Sequence, residues 1–175
     1  MKKSEWSGEK QESPITVQVA SPADAEGIGH VHAETWLTTY PNEEYGITRE
    51  DIEAKIETRR LTRADHWEKT IEDKTGNKRV WVAKDEKDEI IGFCLAVKDD
   101  DENKIQAIYV LPTRHGGGVG RKLILEAFNW LGSGKPTSLS VAKYNAKVIE
   151  FYKKLGFEEV GDAPTLLAAK TWDHF

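Results

Sequence analysis

The stretch RHGGGVGRK, residues 114–122, puts four glycines into the five positions 116–120 and runs straight into an apolar segment. Glycine is costly in an ordered element because it has the most backbone freedom to lose. A cluster this dense is either a slack linker or a place where main chain must come very close to something. The flanks decide between the two. Upstream, Ile105 to Leu111 is β-branched and apolar and predicts a largely buried strand. Downstream, Leu123, Ile124, Ala127, Phe128 and Leu131 recur at helical spacing. Strand, glycine turn, helix is an arrangement that offers unpaired backbone N–H groups and a positive dipole end to phosphate. The spacing excludes two familiar phosphate motifs. A dinucleotide fingerprint begun at Gly116 needs a glycine where Arg121 stands. A P-loop ending at Gly134-Lys135 meets Pro136 instead of a hydroxyl residue and has Asn129 in place of its first glycine.

The 175 residues suit one domain with a real core, and 38% hydrophobic against 31% charged residues is ordinary for a soluble globular chain. No apolar run approaches membrane-spanning length, and the start, MKKSEWSGEKQESP, lacks the apolar core of a signal peptide, so a cytoplasmic setting without membrane contact is expected. A single cysteine, Cys94, excludes a disulfide framework; set in IIGFCLAV, it reads as a buried, inert thiol. Net charge is −5 and no basic stripe stands out, which disfavours nucleic acid and would suit a cationic partner such as an amine. No metal is expected. His30 and His32 lie two apart in a helical stretch and so point in different directions, and the acidic run Asp99 to Glu102 reads as a solvated turn.

Along the chain, residues 1–13 read as a flexible polar tail, with Trp6 its one apolar exception. Ile15–Val19 alternates as a strand. Ser21 and Pro22 open a helix with Ile28, Val31 and Trp36 on its buried face, broken at 39–42. The charged stretch 48–74, with Ile52, Ile56, Trp67 and Ile71, fits one or two amphipathic helices. Residues 79–83 and 90–97 predict a hairpin about the polar turn 84–89, and 137–141 a further strand. Asn145 caps a helix with Val148, Phe151, Tyr152 and Leu155 on one face, ended by Gly156 with Phe157 folding back. A last strand is expected near Leu166–Trp172.

That order and two of its segments resemble the GNAT superfamily of N-acetyltransferases. IYVLPTRHGGGVGRKLI (108–124) is similar to the family's acetyl-CoA motif, a strand followed by P-x-x-[Q/R]-G-x-G-x-[G/A]. NAKVIEFYKKLGF (145–157) is similar to its second motif, N-x-x-[A/V]-x-x-F-Y-x-K-x-G-F. The resemblance covers about residues 78–172, and HAETWLTTY (32–40) resembles the first helix of the polyamine and small-amine branch. It implies an α/β (α+β) domain over 14–175, with a mixed, mostly antiparallel sheet of about six to seven strands flanked by helices. It implies an N-acetyltransferase that carries an acetyl group from acetyl-CoA, its co-substrate, to a primary amine such as a polyamine or other small amine by direct attack. The chain would work as a monomer or homodimer.

The resemblance also implies roles for residues. Gly116, Gly117, Gly118, Val119, Gly120 and Arg121 would hold the pyrophosphate, and the main chain of Ile108, Tyr109 and Val110 would pair with the pantetheine arm. Asn145 would both cap its helix and bond that arm. His115 stands where relatives carry Gln or Arg; it can still donate a hydrogen bond, or be a solvent-facing loop residue. Tyr152 resembles the tyrosine that protonates the departing thiolate. The proton acceptor is open: the strand before the turn offers Gln106 and Ala107, not glutamate, and Glu34, Tyr40, Tyr45 and a water relay are the candidates. Trp36, Tyr40 and Tyr45 would line the acceptor pocket. Two alternatives stand beside this reading, a protein N-terminal acetyltransferase of the ribosomal-protein type and a non-catalytic acyl-CoA-binding module. The second would keep the glycine turn without needing Tyr152.

Overall fold

In a computed structural model the chain is described over residues 14–161, apart from the side chains of residues 59–63. The expected tail at 1–13 and the expected strand near Leu166–Trp172 lie outside the described residues. Five strands form one sheet in the order β1 (Thr16–Val19), β2 (Lys78–Lys84), β3 (Ile90–Val97), β4 (Asn103–Val110) and β5 (Thr137–Leu139). The first four run antiparallel in sequence order; β5 joins β4 in parallel. The described sheet is thus mixed and mostly antiparallel as expected, with fewer strands than the sequence suggests. The helices are α1 (Ala25–Thr39), α2 (Arg49–Ile71), α3 (Val119–Leu131) and α4 (Ala146–Lys154). Among the described residues no helix is long and apolar enough to cross a membrane, and no cluster of histidine, cysteine and acidic side chains could hold a metal ion.

The near-continuous apolar runs of β2 and β3 follow from cover on both faces. Side chains alternate across a strand. Val80, Val82, Phe93 and Leu95 therefore meet Ile28 and Val31 of α1 and Trp67 of α2. Trp81, Ala83, Cys94 and Ala96 meet Val119, Leu123, Ala127 and Leu131 of α3 on the other side. The stretch 48–71 forms one helix, begun by a reciprocal cap in which Asp51 N–H bonds Thr48 Oγ1 at 3.1 Å and Thr48 N–H bonds Asp51 Oδ2 at 3.0 Å.

Strand β4 departs from alternation at one place. Leu95 stands opposite Ala107 and Ala96 opposite Ile105, so Gln106 has no partner on β3 and is a β-bulge. Ile105 faces the α3 side and Ala107 the α1/α2 side, although two residues apart on a regular strand would share a face. Pairing with β5 ends at Ile105–Leu139. From Gln106 to Val110, then, β4 has a hydrogen-bonded neighbour on its β3 edge only among the described strands.

A buried ion pair ties the start of α1 to the sheet. Lys84 Nζ lies 3.0 Å from Asp24 Oδ1, with side-chain exposures of 14% and 6%. Asp24 Oδ2 also accepts from Ser21 N at 2.8 Å and Ser21 Oγ at 3.0 Å. Burial alone would raise the Asp24 carboxyl, but the bonds from Ser21 and Lys84 outweigh it and hold it below the usual carboxylate range. Lys84 is raised, chiefly by its bond to Asp24.

A lowered carboxyl stabilises the fold above its unfolded pKa, about 3.9, and loses that contribution as pH falls through the folded value. A raised amine stabilises below about 10.4 and loses its contribution as pH rises through the folded value. Asp24→Ala should therefore destabilise most on the plateau between those limits, by about 3 kcal/mol, with a smaller difference at pH 3 and above pH 11. Urea unfolding of both chains at the three pH values measures this, and a difference independent of pH would rule out the ion pair as its source.

Candidate active site

The glycine turn lies where the end of β4 meets the start of α3. Gly116 and Gly118 have φ of 83° and 75°, a region that L side chains rarely adopt, and a Cβ built on either meets nothing within 4 Å. Both therefore face open space. Gly118 precedes the first residue of α3, so the free N–H groups of that helix start open onto the same space. At Gly120 a Cβ would make ordinary contacts, 3.4 Å from Phe151 of α4 and 3.8 Å from Val110, so this position lies against α4 rather than on open space. Arg121 is exposed in the first turn of α3. An open cradle of this kind, with donors and a positive dipole end, fits a pyrophosphate.

Two contacts fix the turn that sequence reasoning did not supply. Arg114 Nη2 lies 2.6 Å from Asp85 Oδ2, and Asp85 Oδ1 accepts from the N–H groups of Lys87 and Glu89 at 3.0 and 3.1 Å. Burial works to raise the Asp85 carboxyl, but the two N–H bonds and Arg114 overcome it and leave it lowered. The β2–β3 hairpin thus holds the entrance to the glycine turn. His115 folds back, with Nε2 2.9 Å from the Val110 carbonyl oxygen, a contact in which the ring must donate. Leu111 N–H bonds Ile91 O on the β3 side, and successive peptide units alternate, so the Val110 carbonyl that His115 meets belongs to the open edge of β4.

Helix α4 stands across from that edge. Its first N–H groups are served by Asn145, whose Oδ1 lies 3.4 Å from Val148 N. Tyr152, 8% exposed, packs edge-on against Phe151 and Phe157 at centroid distances of 5.2 and 5.6 Å. Burial pushes its hydroxyl well above the ordinary tyrosine value, with smaller contributions from Cys94 and Tyr109.

All five tyrosines of the chain gather here. Tyr40 and Tyr109 join hydroxyl to hydroxyl at 2.9 Å. Burial raises Tyr109, despite the lowering effect of its bond to Tyr40 and of the neighbouring Trp36. Tyr40 is also pushed well above the ordinary tyrosine value, chiefly by burial, with Tyr109, Tyr144 and Tyr152 adding to it. Tyr45, in the loop between α1 and α2, meets Tyr144 with rings 5.4 Å apart. The groups acting on Tyr109, Tyr144 and Tyr152 include no carboxylate and no cation. The hydroxyls are therefore neutral at physiological pH.

The structure brings together Trp36, Tyr40, Tyr45, Tyr109 and Tyr152, but not Glu34. That residue is exposed on α1, roughly 200° around the helix from His32, whose ring packs against Trp36 and Tyr109. Gln106, at the position where relatives would carry an acid, is the bulged, exposed residue. Tyr144 was missed. The only signal for it was its place just before the capping Asn145, in a chain with few tyrosines.

The sequence profile of the acetyltransferase (GNAT) domain matches residues 76–159. Peptidyl-lysine N-acetyltransferase YjaB of Escherichia coli (strain K12) is 33% identical over 82 residues, 47% of this chain and 51% of its own length, so the match spans about half of that relative. The uncharacterized N-acetyltransferase YuaI of Bacillus subtilis (strain 168) is 28% identical over 160 residues, 85% of this chain and 83% of its own. Among solved structures, the PaiA N-acetyltransferase of Thermoplasma acidophilum in complex with coenzyme A superposes with a TM-score of 0.70 at 24% identity, covering 85% of this chain and 93% of that one. The aminoglycoside acetyltransferase AAC(6')-Iy with a bisubstrate analogue gives 0.59 at 17% identity over 86% and 95%. At these identities the likeness shows the fold.

The two glycines make a direct test of the turn. Gly118→Ala puts a side chain at φ 75° and should lower stability by about 1–2 kcal/mol. Gly117→Ala adds a Cβ at an ordinary 3.6 Å from Arg114 O, with no positive φ to strain it, and should change stability by less than about 0.5 kcal/mol. Thermal denaturation compares them, and equal effects would argue against the left-handed turn.

Proposed function

Since this chain belongs to the GNAT superfamily of acetyltransferases, we propose that it is an N-acetyltransferase which moves the acetyl group of acetyl-CoA onto a primary amine of a small molecule. The observation that carries the reading is the one-sided edge of β4, residues 106–110, which runs into the open glycine turn. Acetyl-CoA supplies the activated thioester. The N–H groups of Gly116 to Gly120 and the Arg121 side chain hold its pyrophosphate. The free main chain of Ile108, Tyr109 and Val110 takes the pantetheine arm as an added strand, with Asn145 beyond it. His115 sits on the Val110 carbonyl and donates to the same edge. Trp36, Tyr40 and Tyr45 wall the acceptor side. The setting of the reaction is cytoplasmic, and no nucleic acid takes part.

The amine nitrogen attacks the acetyl carbon, a C–N bond forms and the C–S bond breaks. Tyr152 passes its hydroxyl proton to the departing sulfur and regains one from the nitrogen, which becomes acidic once it is bonded to the acetyl group. Burial constrains this step: it makes the phenol a weak acid at rest and its phenolate a strong acceptor, so the proton passed to the sulfur must be matched by the one taken from the nitrogen. No carboxylate is required, which agrees with the exposed position of Glu34. The small-molecule acceptor is supported by the aminoglycoside enzyme among the structural relatives; the relative named for peptidyl-lysine acetylation makes a lysine peptide the second acceptor to try.

Two measurements test the reading. CoA and acetyl-CoA should raise the melting temperature with a concentration dependence that follows mass action, about 2.7 kcal/mol of stabilisation at one hundred times Kd. A flat response to both ligands would refute cofactor binding. Thiol release with acetyl-CoA, read across spermidine, an aminoglycoside, a lysine peptide and a free peptide N-terminus, identifies the acceptor class.

Tyr152→Phe should lower kcat by about 10²-fold while leaving acetyl-CoA affinity nearly unchanged, because the lost proton acts in the transition state. Glu34→Gln should change kcat little. Activity should rise with pH as free amine accumulates, since alkyl ammonium groups deprotonate only near pH 10. Full activity in Tyr152→Phe would remove the assigned acid.

A further inference from the structure

The Tyr144 hydroxyl is a buried polar group beside the proposed acceptor side to which the reaction above gives no task. It is shut away from the surface and has no hydrogen-bond partner among the described residues. Most buried polar atoms find a partner, and leaving one unmade costs on the order of 1–3 kcal/mol. A hydroxyl kept in that state points to a partner that arrives with a ligand. Its position agrees. Tyr144 precedes Asn145, the cap of α4. Its ring meets Tyr45 of the α1–α2 loop, and it acts on the hydroxyl of Tyr40. Of the chain's five tyrosines it alone sits between the α4 start and the acceptor-side loop. Burial raises its pKa, with Tyr45 adding to the shift, so it stays a neutral phenol.

We propose that the Tyr144 hydroxyl is a binding group for the acyl acceptor, accepting a hydrogen bond from the N–H of the attacking amine. The direction follows from the chemistry. The nitrogen must keep its lone pair for the acetyl carbon, so the phenol oxygen serves it only as an acceptor. One phenol, Tyr152, then handles the proton and a second, Tyr144, holds the nucleophile. Cofactor binding needs neither the Tyr144 ring nor its oxygen.

The inference rests on the acetyltransferase reading, and Tyr144→Phe separates the two. In the free chain the substitution removes an unsatisfied buried hydroxyl and keeps the ring, so the melting temperature should stay level or rise. In steady-state assays with the best acceptor found among spermidine, an aminoglycoside, a lysine peptide and a peptide N-terminus, KM for the amine should rise about 3- to 10-fold, the worth of one neutral hydrogen bond. KM for acetyl-CoA and the CoA-induced thermal shift should stay at wild-type values.

An unchanged amine KM overturns the inference while leaving the acetyltransferase reading intact. A parallel rise in both KM values, or a chain that fails to fold, marks a structural hydroxyl and overturns it too. A wild-type chain that binds no CoA and acetylates no amine overturns the acetyltransferase reading, and this inference with it.

Discussion

Strand β4 is paired on both edges only as far as Ile105, and everything the proposed site needs follows from what happens next. The bulge at Gln106 adds a residue that β3 does not match, which turns the remainder of β4 about its axis and takes it out of register with β5. One consequence is internal. Ala107 and Tyr109 now face the α1/α2 core, which carries the Tyr109 hydroxyl to Tyr40 and Trp36. The other is external. A row of backbone groups that a regular sheet would satisfy is left for something else to bond, and an edge of that kind is costly unless it is covered or used. In the described structure His115 covers part of it, through the Val110 carbonyl.

Charge is kept to the margins of this opening. Two ion pairs with buried acids, Arg114–Asp85 and Lys84–Asp24, fix the glycine turn and the start of α1. The interior is phenolic. Neutral hydroxyls in a low-dielectric setting hold their protons firmly, so a buried tyrosine is a poor acid at rest. It becomes an effective one only when its loss is matched by a proton arriving from elsewhere. Acyl transfer to an amine supplies that match, since nitrogen becomes strongly acidic as the C–N bond forms. Among the described residues no carboxylate acts on Tyr40, Tyr109 or Tyr152, which is consistent with such chemistry, and burial is the main cause of their raised hydroxyls.

How much of this was legible in the sequence divides by range. The glycine turn, the Asn145 cap, the apolar faces of α3 and α4 and the 78–97 hairpin all rest on residues within a few positions of one another, and each was readable from local pattern. The bulge was not. Gln106 looked like a missing base because the apolar run around it gives no hint that β3 skips a residue there. Nor could pattern show that Tyr40, Tyr45, Tyr109, Tyr144 and Tyr152 converge, since they come from four separate segments. Glu34 marks the opposite failure. It belongs to a segment that resembles an acceptor-binding helix, but on a helix the neighbours of His32 and Trp36 are three and four positions away, and position 34 faces solvent. Arg114 drew no role from the sequence, whereas it grips Asp85, twenty-nine positions earlier.

The stretch matched by the family profile begins at residue 76, so it takes in the hairpin, β4, the glycine turn and α4, but not α1 or α2. Those shared elements are the ones that would hold the cofactor, a molecule that does not vary between acetyltransferases. Trp36, Tyr40 and Tyr45 come from outside that stretch and reach the opening only because α1 packs on β3 and β4 through Ile28, Val31 and His32. On the proposed reading, acceptor recognition would depend on how that helix docks, and a substitution deep in the α1–sheet contact would move the tyrosine wall without touching the glycine cradle. Tyr144 is the exception that joins the two halves. It lies within the matched stretch, yet its ring rests on Tyr45, so the start of α4 and the acceptor-side loop are held at a fixed separation. On the proposed reading, that contact would make the distance between Tyr152 and a bound amine a property of both halves of the chain.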